Sequence, residues 1–554
     1  MTIWNNDKRT STFLFGASIL MLLAVASTGV ACGTEDCAES ASCGASGTDV
    51  DASADASAGG SDAEALDRGI RLSIVSPKSP EPVVQGEALA LTLGVERRPG
   101  SQGEIELALT GLPSGATSGA LSAVASGATQ GAVTIQTAPT TPQGRATITI
   151  TATHAADGER SEVKLELQVR GRPGARDTSF GDAGVTRTLF SSPGLIGTGA
   201  LHDVMGLPDG RVLVGGRRVN NATVARLSAT GKLDTGFGGA GFASLLVSQG
   251  FLRLAPTPTG TSTYALVGPG GGVGALFLLD QAGAAVTSFN GTGRRDVDVG
   301  PSPFGAHQLA VLPDGKVLVL SRYNTMAGGQ GLGITRYKPD GALDVSYGAD
   351  PPGLCSITVA GTGGTMLYPG NLLVAPDGSA RVHAPSTPAA FSSFVKGCTP
   401  SGAVDTAVGA APNHVQTGIA NGRAVRAPSG ELIVASESSW SRYNAGGAVD
   451  TSIGALGTVA LPSGVNASAV LVQDDFKVVV GGSEGRAFKV FRYLPNGVLD
   501  PDFGEDGVVT LDVADENGMA SLDALAFQTG GRLLVGGTRF DDDATDVVVV
   551  RLWR

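Results

Sequence analysis

Residues that commonly carry catalysis or bind metals are scarce in this sequence. Its 554 residues include only five histidines, and none of them stands at the H-x-x-x-H spacing of a metal site: His154, His202, His307, His383 and His414. A G-x-S-x-G nucleophile elbow, a Walker loop and a C-x-x-C pair are all absent. We therefore expect no catalytic residue, no metal and no cofactor.

Aromatic and charged side chains are also few, at 5% and 16% of the residues. The three tryptophans weaken an interpretation based on stacking of sugars or quinones. The net charge is −12, whereas nucleic acids attract basic surfaces through their phosphates. The composition therefore argues against a nucleic acid partner.

Glycine, by contrast, is abundant at 82 residues. Together with many Val, Thr, Leu, Ala and Ser residues, it suits short strands joined by tight turns. Apart from the extreme N-terminus, no long segment shows apolar residues at helical spacing. An all-β fold is predicted.

The first residues are typical of an export signal. Lys8 and Arg9 precede an apolar run, residues 13–26, that is too short to cross a bilayer as a helix. Ala31-Cys32 resembles the lipobox at which bacterial lipoproteins are cleaved and acylated on the cysteine. Residues 1–31 are predicted to be a signal peptide and Cys32 to be lipidated; the alternative is ordinary cleavage after Ala31. Because Gly33 is not the Asp of an inner-membrane retention signal, the resemblance implies an outer-membrane lipoprotein or another cell-surface location.

The cysteine count fits acylation, since an odd number in an exported protein leaves one thiol to be used otherwise. With Cys32 acylated, four cysteines remain, which could form the disulfides Cys37–Cys43 and Cys355–Cys398. In the alternative, the three early cysteines pair variably in a disordered tether. Residues 32–67 are mostly small and acidic, and they cannot bury enough surface to fold.

Residues 68–171 show alternating apolar runs separated by turn residues, a pattern typical of an immunoglobulin-like β-sandwich. The runs are 70–75, 88–95, 104–109, 132–136, 146–152 and 163–169. The sequence Gly-Leu-Pro-Ser-Gly at 111–115 resembles a turn of bacterial immunoglobulin-like domains. Such a domain could serve in adhesion or as a spacer, and we favour the spacer.

From residue 177 the chain repeats itself. A pattern related to Leu-Asp-x-x-Phe-Gly recurs at Asp177, Asp234, Asp344, Asp405, Asp450 and Asp500, with a degenerate copy at Val286, which makes seven units. Each unit continues with a strand, a hairpin with a Pro-Asp-Gly type of turn, and a further strand that leads to the next anchor.

Four short strands in each of seven units are typical of a β-propeller. These ordered motifs resemble the delta-60 repeat family of predicted β-propellers, and the resemblance covers residues 177–554. It implies a seven-bladed propeller. The strand near residues 185–190 should pair with the last strand, 547–552, because a closed ring leaves no open sheet edge.

An arginine precedes several of the anchor aspartates by eight residues. The arginines are Arg226, Arg336, Arg442 and Arg492, and Arg551 has the same strand position in the last unit. The degenerate unit has Leu278 in this place, so it lacks both partners. We predict Arg–Asp ion pairs that brace the turns and have no catalytic role.

The sequence as a whole predicts a non-catalytic lipoprotein of the cell envelope that presents a propeller for binding or scaffolding. It would be a monomer, anchored to the membrane by lipid, with an envelope protein or a glycan as partner. The alternative is a propeller hydrolase or lyase that acts on an extracellular carbohydrate or lactone. A purely structural envelope protein is a third hypothesis.

Overall fold

In a computed structural model of the chain, the described residues are 69–78, 82–187, 190, 199–248, 250–268, 273–297, 303–324, 330–357, 370–386, 392–407, 415–416, 423–541 and 545–554. Every regular element among them is a β-strand. This part of the chain therefore has no helix that could cross a membrane.

Two four-stranded sheets form the N-terminal part. Their strands are β1 (Ile70–Ser76), β2 (Val83–Val84), β3 (Ala88–Arg97), β4 (Ile105–Thr110), β5 (Thr117–Ser118), β6 (Gln130–Gln136), β7 (Gly144–His154) and β8 (Arg160–Arg170). One sheet has the order β1-β3-β6-β5 and the other β2-β8-β7-β4. Alternate side chains of both sheets enclose one apolar core, since successive residues of a strand point to opposite faces.

The remaining strands form seven sheets. They are β9 (Val185–Arg187), β10 (Gly199–Gly206), β11 (Val212–Arg218), β12 (Asn221–Leu227), β13 (Phe242–Ser248), β14 (Leu252–Pro256), β15 (Ser262–Val267), β16 (Gly274–Asp280), β17 (Arg294–Val297), β18 (Pro303–Val311), β19 (Val317–Asn324), β20 (Gln330–Tyr337), β21 (Leu354–Ile357), β22 (Asn371–Val374), β23 (Ala380–Ser386), β24 (Ser392–Cys398), β25 (Val404–Asp405), β26 (Val415–Gln416), β27 (Arg423–Arg426), β28 (Leu432–Ala435), β29 (Ser439–Tyr443), β30 (Thr458–Ala460), β31 (Asn466–Val472), β32 (Val478–Glu484), β33 (Ala487–Tyr493), β34 (Val508–Asp512), β35 (Met519–Gln528), β36 (Arg532–Phe540) and β37 (Thr545–Trp553).

Six of these sheets follow chain order: β10 to β13, β14 to β17, β18 to β21, β22 to β25 with β26 added on β24, β27 to β30, and β31 to β34. We number them first to sixth. The seventh sheet has the order β35-β36-β37-β9, so it combines the end of the chain with a strand from far earlier.

The first strand of each sheet packs against the first strand of the next. Contacts run from β10 through β14, β18, β22, β27 and β31 to β35, and β35 returns to β10. The sheets thus form a closed ring around an axis, which is the arrangement of a β-propeller.

Closure occurs at the predicted place. Strand β9 pairs antiparallel with β37, with Val185 opposite Val550 and Arg187 opposite Val548. The prediction that the first strand after Asp177 pairs with the last strand is confirmed. Residues 548–550 of β37 therefore have a partner strand on both sides, which protects this part of the strand from pairing with another chain.

Glycine pairs in the second strands let neighbouring sheets approach closely. A Cβ atom on Gly215 would lie 2.4 Å from Cδ2 of Leu252 in the second sheet. Gly536 of the seventh sheet is similarly close to Leu201 of the first, at 2.9 Å. Because interiors are densely packed, a larger residue at either position would push two sheets apart.

The two ends of each sheet are formed by different kinds of connection between strands. The Pro-Asp-Gly turns and the anchor turns lie at the same end of the antiparallel sheets, and we call this end the turn face. The second-to-third hairpins and the connections to the next sheet lie at the opposite end, the variable face. The connections there differ in length, from residues 249–251 to residues 358–370.

Closure can be tested by placing cysteines at the facing positions Arg187 and Val548. We expect R187C/V548C to form a disulfide under oxidising conditions, because these residues are cross-strand partners. The bond should raise stability by about 2–4 kcal/mol in thermal unfolding, with or without reductant. The control, R187C/V498C, places the second cysteine in the exposed turn between β33 and β34 and should not cross-link. A reduced R187C/V548C pair would contradict closure.

Candidate functional site

Each anchor aspartate accepts hydrogen bonds within its own turn. The backbone N–H of Asp500 donates to the carbonyl oxygen of Arg492 (2.8 Å), and its Oδ1 accepts the N–H of Asp502 (3.2 Å). At Asp450, the hydroxyl and N–H of Ser452, with Arg442, lower the pKa of the carboxyl to about 2. The anchor aspartates are therefore built into the turn.

The predicted Arg–Asp pairs are all present in the described part of the chain. Arginine Nε lies at 2.7 Å from Oδ2 in Arg226–Asp234, Arg442–Asp450 and Arg492–Asp500, and at 2.8 Å in Arg336–Asp344. Arg551 pairs at 2.8 Å with Asp177, near the other end of the ring's chain segment. The same local device therefore also joins β37 to the start of the ring.

The arginines also reach the neighbouring sheet. Nη1 of Arg336 donates to the carbonyl oxygen of Pro400 in the fourth sheet (2.7 Å), and Nη1 of Arg551 donates to that of Ala229 in the first (2.9 Å). Arg226 and Arg442 make equivalent bonds, to Gln281 and to Pro495. Each of these four arginines thus links two blades.

An aromatic ring lies under most of these guanidinium groups. Arg336 stacks over Tyr347 at 4.5 Å, Arg492 over Phe503 at 4.6 Å and Arg551 over Phe180 at 4.5 Å. A cation over a ring face gains electrostatic attraction when it is desolvated. We call the assembly of arginine, anchor aspartate and aromatic residue the interblade clasp.

The glycine that follows the aromatic residue completes the clasp. The N–H of Gly348 donates to the carbonyl oxygen of Ser401 in the next sheet (2.8 Å), and φ is +70°. In the degenerate copy Asn290 takes this place with φ of +50° and donates to Asp340 O (2.7 Å). Asn tolerates the left-handed region better than most residues, so the geometry persists there without the ion pair.

Two copies depart from the clasp. Asp405 accepts only the N–H of Ala407 among the described residues, and Gly397 stands where its arginine would be. In the degenerate copy Leu278 and Val286 keep only the backbone hydrogen bond between them. The copies therefore differ in their charged side chains more than in the conformation of their backbone.

The cysteines fall into two groups. Cys355 in the third sheet and Cys398 in the fourth form a disulfide. It joins adjacent blades, as the clasps do. Cys32, Cys37 and Cys43 lie outside the described residues.

The clasp should make a large contribution to stability. Arg492 and Asp500 are buried, so R492A leaves a buried carboxylate whose nearest remaining cation is Lys477 (3.1 Å). We expect a loss of roughly 3 kcal/mol in denaturant unfolding. The matched control is R486A, an exposed arginine in the same sheet paired with Asp512, which should cost under about 1 kcal/mol. Equal losses would show that the clasp is not a special contact.

A second group of polar residues lies around the axis, and its side chains differ from blade to blade. Four first strands contain a β-bulge, whose extra residue is His202, His307, Ser468 or Asp523. Bulges re-aim side chains and are frequent beside active sites. These residues lie on four different sheets, so the ring brings them together.

Two arginines extend this axial cluster. Nη1 of Arg253 donates to His202 O (2.6 Å) and Leu252 O (2.9 Å), and Nε of Arg423 donates to Ser468 O (3.2 Å). They belong to the second and fifth sheets, yet the charge of Arg253 acts on Arg423. His202, His307 and Arg423 are only half-buried, so solvent reaches them.

The aromatic ring of Phe251 connects two members of the cluster. It stacks on the imidazole of His307 (centroids 5.0 Å apart), and the Arg253 guanidinium lies 5.6 Å from it. Gly268 makes this possible, since a Cβ atom there would lie 2.2 Å from Phe251. The orientation of His307 is thus set by packing.

Burial shifts the titration of the axial groups. Burial first, and then the nearby charges of Arg253 and Arg217, lower the pKa of His202 to about 3. Burial, with Arg322 and Arg253, does the same for His307. Burial raises the pKa of Asp203 to about 6 and that of Asp523 to about 7. Such perturbed groups concentrate at functional sites.

Two other features of the described residues give weaker indications of a functional site. A cavity of about 240 Å³ between the first and second sheets is lined by Arg226, Phe237 and Gln281, so it belongs to a clasp. No group of three His, Cys, Asp or Glu residues in the described ranges is arranged to hold a metal ion.

The comparisons with known proteins agree with the repeat geometry. Residues 207–237, 312–347 and 473–503 match the family model described as "Domain of unknown function (DUF5122) beta-propeller". This is the delta-60 repeat-type propeller domain. Each matched segment begins next to a turn of the Pro-Asp-Gly type and ends at the aromatic residue of a clasp. No curated protein matches the chain.

Solved structures resemble the chain only distantly. Prolyl oligopeptidase B from Galerina marginata is 12% identical with a TM-score of 0.35, over 64% of this chain, which spans about half (48%) of the enzyme. A gluconolactonase from Xanthomonas campestris is 12% identical (TM-score 0.30, covering 69% and 94%). A regucalcin from Agrobacterium tumefaciens is 13% identical (TM-score 0.31, covering 66% and 94%).

The raised pKa of Asp523 predicts a distinct pH dependence. The folded state holds this proton up to about pH 7 and the unfolded state only to about pH 4, so its contribution to stability is lost as pH rises through that window. D523N mimics the protonated form. Relative to the wild type, it should gain roughly 2–4 kcal/mol between pH 4 and pH 8 in denaturant unfolding. The exposed control D474N should show no such trend, and a flat D523N difference would contradict the assignment.

Proposed function

We propose that this chain is a non-catalytic binding protein of the cell envelope, anchored through acylated Cys32. Its propeller presents the variable-face end of the axis to a ligand, either a glycan or an envelope protein. The repeated charged residues are occupied in clasps on the turn face, whereas the unrepeated polar residues gather at the axis. This separation is the observation that carries the proposal.

The proposed propeller has seven blades, and the seven sheets whose first strands form one closed ring support this number. We further propose that the N-terminal sandwich is immunoglobulin-like and acts as a spacer. Its strand orders, β1-β3-β6-β5 and β2-β8-β7-β4, correspond to the A-B-E-D and G-F-C sheets of that fold, with β2 added parallel to β8.

The sandwich contacts the sheet that closes the ring. Nε1 of Trp553 in β37 donates to Oε1 of Gln143 (2.9 Å), and the N–H of Thr178 donates to the same oxygen (3.1 Å). A monomer tethered by residues 32–67 would hold the ring away from the membrane with a fixed spacer beneath it.

The alternative function is a hydrolase or lyase acting on an extracellular carbohydrate or lactone. One observation favours it, because a carboxyl with a pKa of about 7 (Asp523) is suited to proton transfer at neutral pH. Its hydrogen bonds with the hydroxyls of Ser521 and Thr538 (both 2.8 Å) speak for a structural role instead.

Two measurements test the proposal. Mass spectrometry of the mature N-terminus should find diacylglycerol on Cys32, and C32A should release the protein from the membrane fraction; an unmodified Cys32 would refute the anchor. A panel of glycans, lactones and sugar acids should then be screened for both thermal stabilisation and turnover. We expect stabilisation without turnover that is lost in H202A/H307A. Turnover abolished by D523N would establish the enzyme instead.

A further inference from the structure

We propose that the axial ligand is a hydroxy acid, whose carboxylate binds between the guanidinium groups of Arg253 and Arg423 and whose hydroxyls contact His202 and His307. This inference rests on the binding function proposed above and names its ligand class. Four observations on the axial cluster support it.

The first is that both guanidinium groups lack a carboxylate partner within ion-pair distance among the described residues, unlike the clasp arginines. Arg253 is buried and uses Nη1 on two carbonyl oxygens, and its Nε–H has no acceptor in the described part of the chain. Arg423 uses Nε on one carbonyl oxygen. A guanidinium has five donors in a planar fork that matches an oxyanion.

The second is the state of the nearby carboxyls. Asp203 accepts the backbone N–H groups of Val204 and Leu254 (both 2.8 Å), and Asp523 accepts hydroxyls, so both are already engaged. Glu437 also acts on Arg423, but its side chain is exposed. Burial raises the pKa of Asp523, so at neutral pH this carboxyl balances the charge of Arg253 only in part.

The third is the pair of imidazoles. Burial, followed by the charges of nearby arginines (Arg253 and Arg217 at His202, Arg322 and Arg253 at His307), lowers the pKa of both rings, so both are neutral at pH 7. Nδ1 of His202 and Nε2 of His307 have no hydrogen-bond partner among the described residues. A neutral imidazole offers one donor and one acceptor, which suits a hydroxyl group, whereas a second carboxylate only accepts and would leave the acceptor nitrogen of the ring unpaired.

The fourth is the charge count. Arg253 interacts with Asp203 and Asp523, whose carboxyl pKa values are raised by burial, so these two groups balance its charge only in part, and Arg253 also acts on Arg423. A single negative charge complements this remainder better than the dianion of phosphate does. The carboxylate of a hydroxy acid supplies that single charge.

The test uses the mature full-length protein at pH 7, with D-gluconate, acetate, D-glucose and inorganic phosphate as probes in calorimetry and thermal unfolding. We expect gluconate to bind at least about tenfold more tightly than each of the other three, because only it combines one carboxylate with hydroxyls. R423M and R253K should each weaken gluconate binding about tenfold or more. The matched control R294M, an exposed arginine of the second sheet, should leave it unchanged.

Each other result has a defined meaning. H307L should weaken gluconate but not acetate; equal effects would refute the hydroxyl contact. Phosphate bound more tightly than gluconate would overturn the carboxylate assignment, and no binding of gluconate would overturn the inference altogether. R253K retains the charge and guards against misfolding of R423M. If an uncharged glycan from the panel binds instead and H202A/H307A abolishes it, the hydroxy acid is wrong and the proposed binding function stands.

Discussion

The sheets of this ring are buried on both faces, and a sheet can be buried on both faces only when a neighbour lies on either side. A linear row of seven sheets would leave two apolar faces and one strand edge open to water, at a cost that grows with exposed apolar area. Pairing β9 with β37 removes that cost in one step. The core cluster around Val185, Val548 and Phe503 draws on both ends of the ring's chain segment, which makes the packing between the sixth and seventh sheets depend on this pairing.

The interblade clasp supports the same closure on the turn face. Its members are close in sequence, but the arginine also holds a carbonyl of the following sheet, so a local motif carries a contact between blades. The pairing of Arg551 with Asp177 repeats the motif across the chain termini of the ring. Because the clasps occupy one face, the loops of the opposite face can differ in length without weakening the ring.

The residues around the axis meet a different constraint from those of the clasps. The first strands approach one another there, and burial penalises any unpaired charge. Nevertheless Arg253 is placed on the axis without a carboxylate partner among the described residues, next to two neutral imidazoles. Strained or costly arrangements of this kind are expected where a site is built for a ligand, and they separate the axial cluster from the self-sufficient clasps.

The sequence alone determined the repeats, the strand order within each unit, the Arg–Asp pairs and the place of closure. It could do so because each of these depends on spacing within one unit, or on the phase of the units at the two ends. Even so, β2 and β5 were not predicted, since two residues are too few to show alternation. The valine-glycine-glycine pattern of the second strands was visible at Val214 and Val535, but only the packed neighbour explains it.

Only the tertiary structure decided where function could reside. The residues of the axial cluster are far apart in the sequence and share no motif, and closure of the ring brings them to one axis. They are His202, Arg253, His307, Arg423 and Asp523. The bulges that aim four side chains there are shifts of strand register that no single strand reveals. The repeats specify contacts within and between neighbouring blades, whereas the axial cluster arises from side chains that differ between the repeats once the ring has closed.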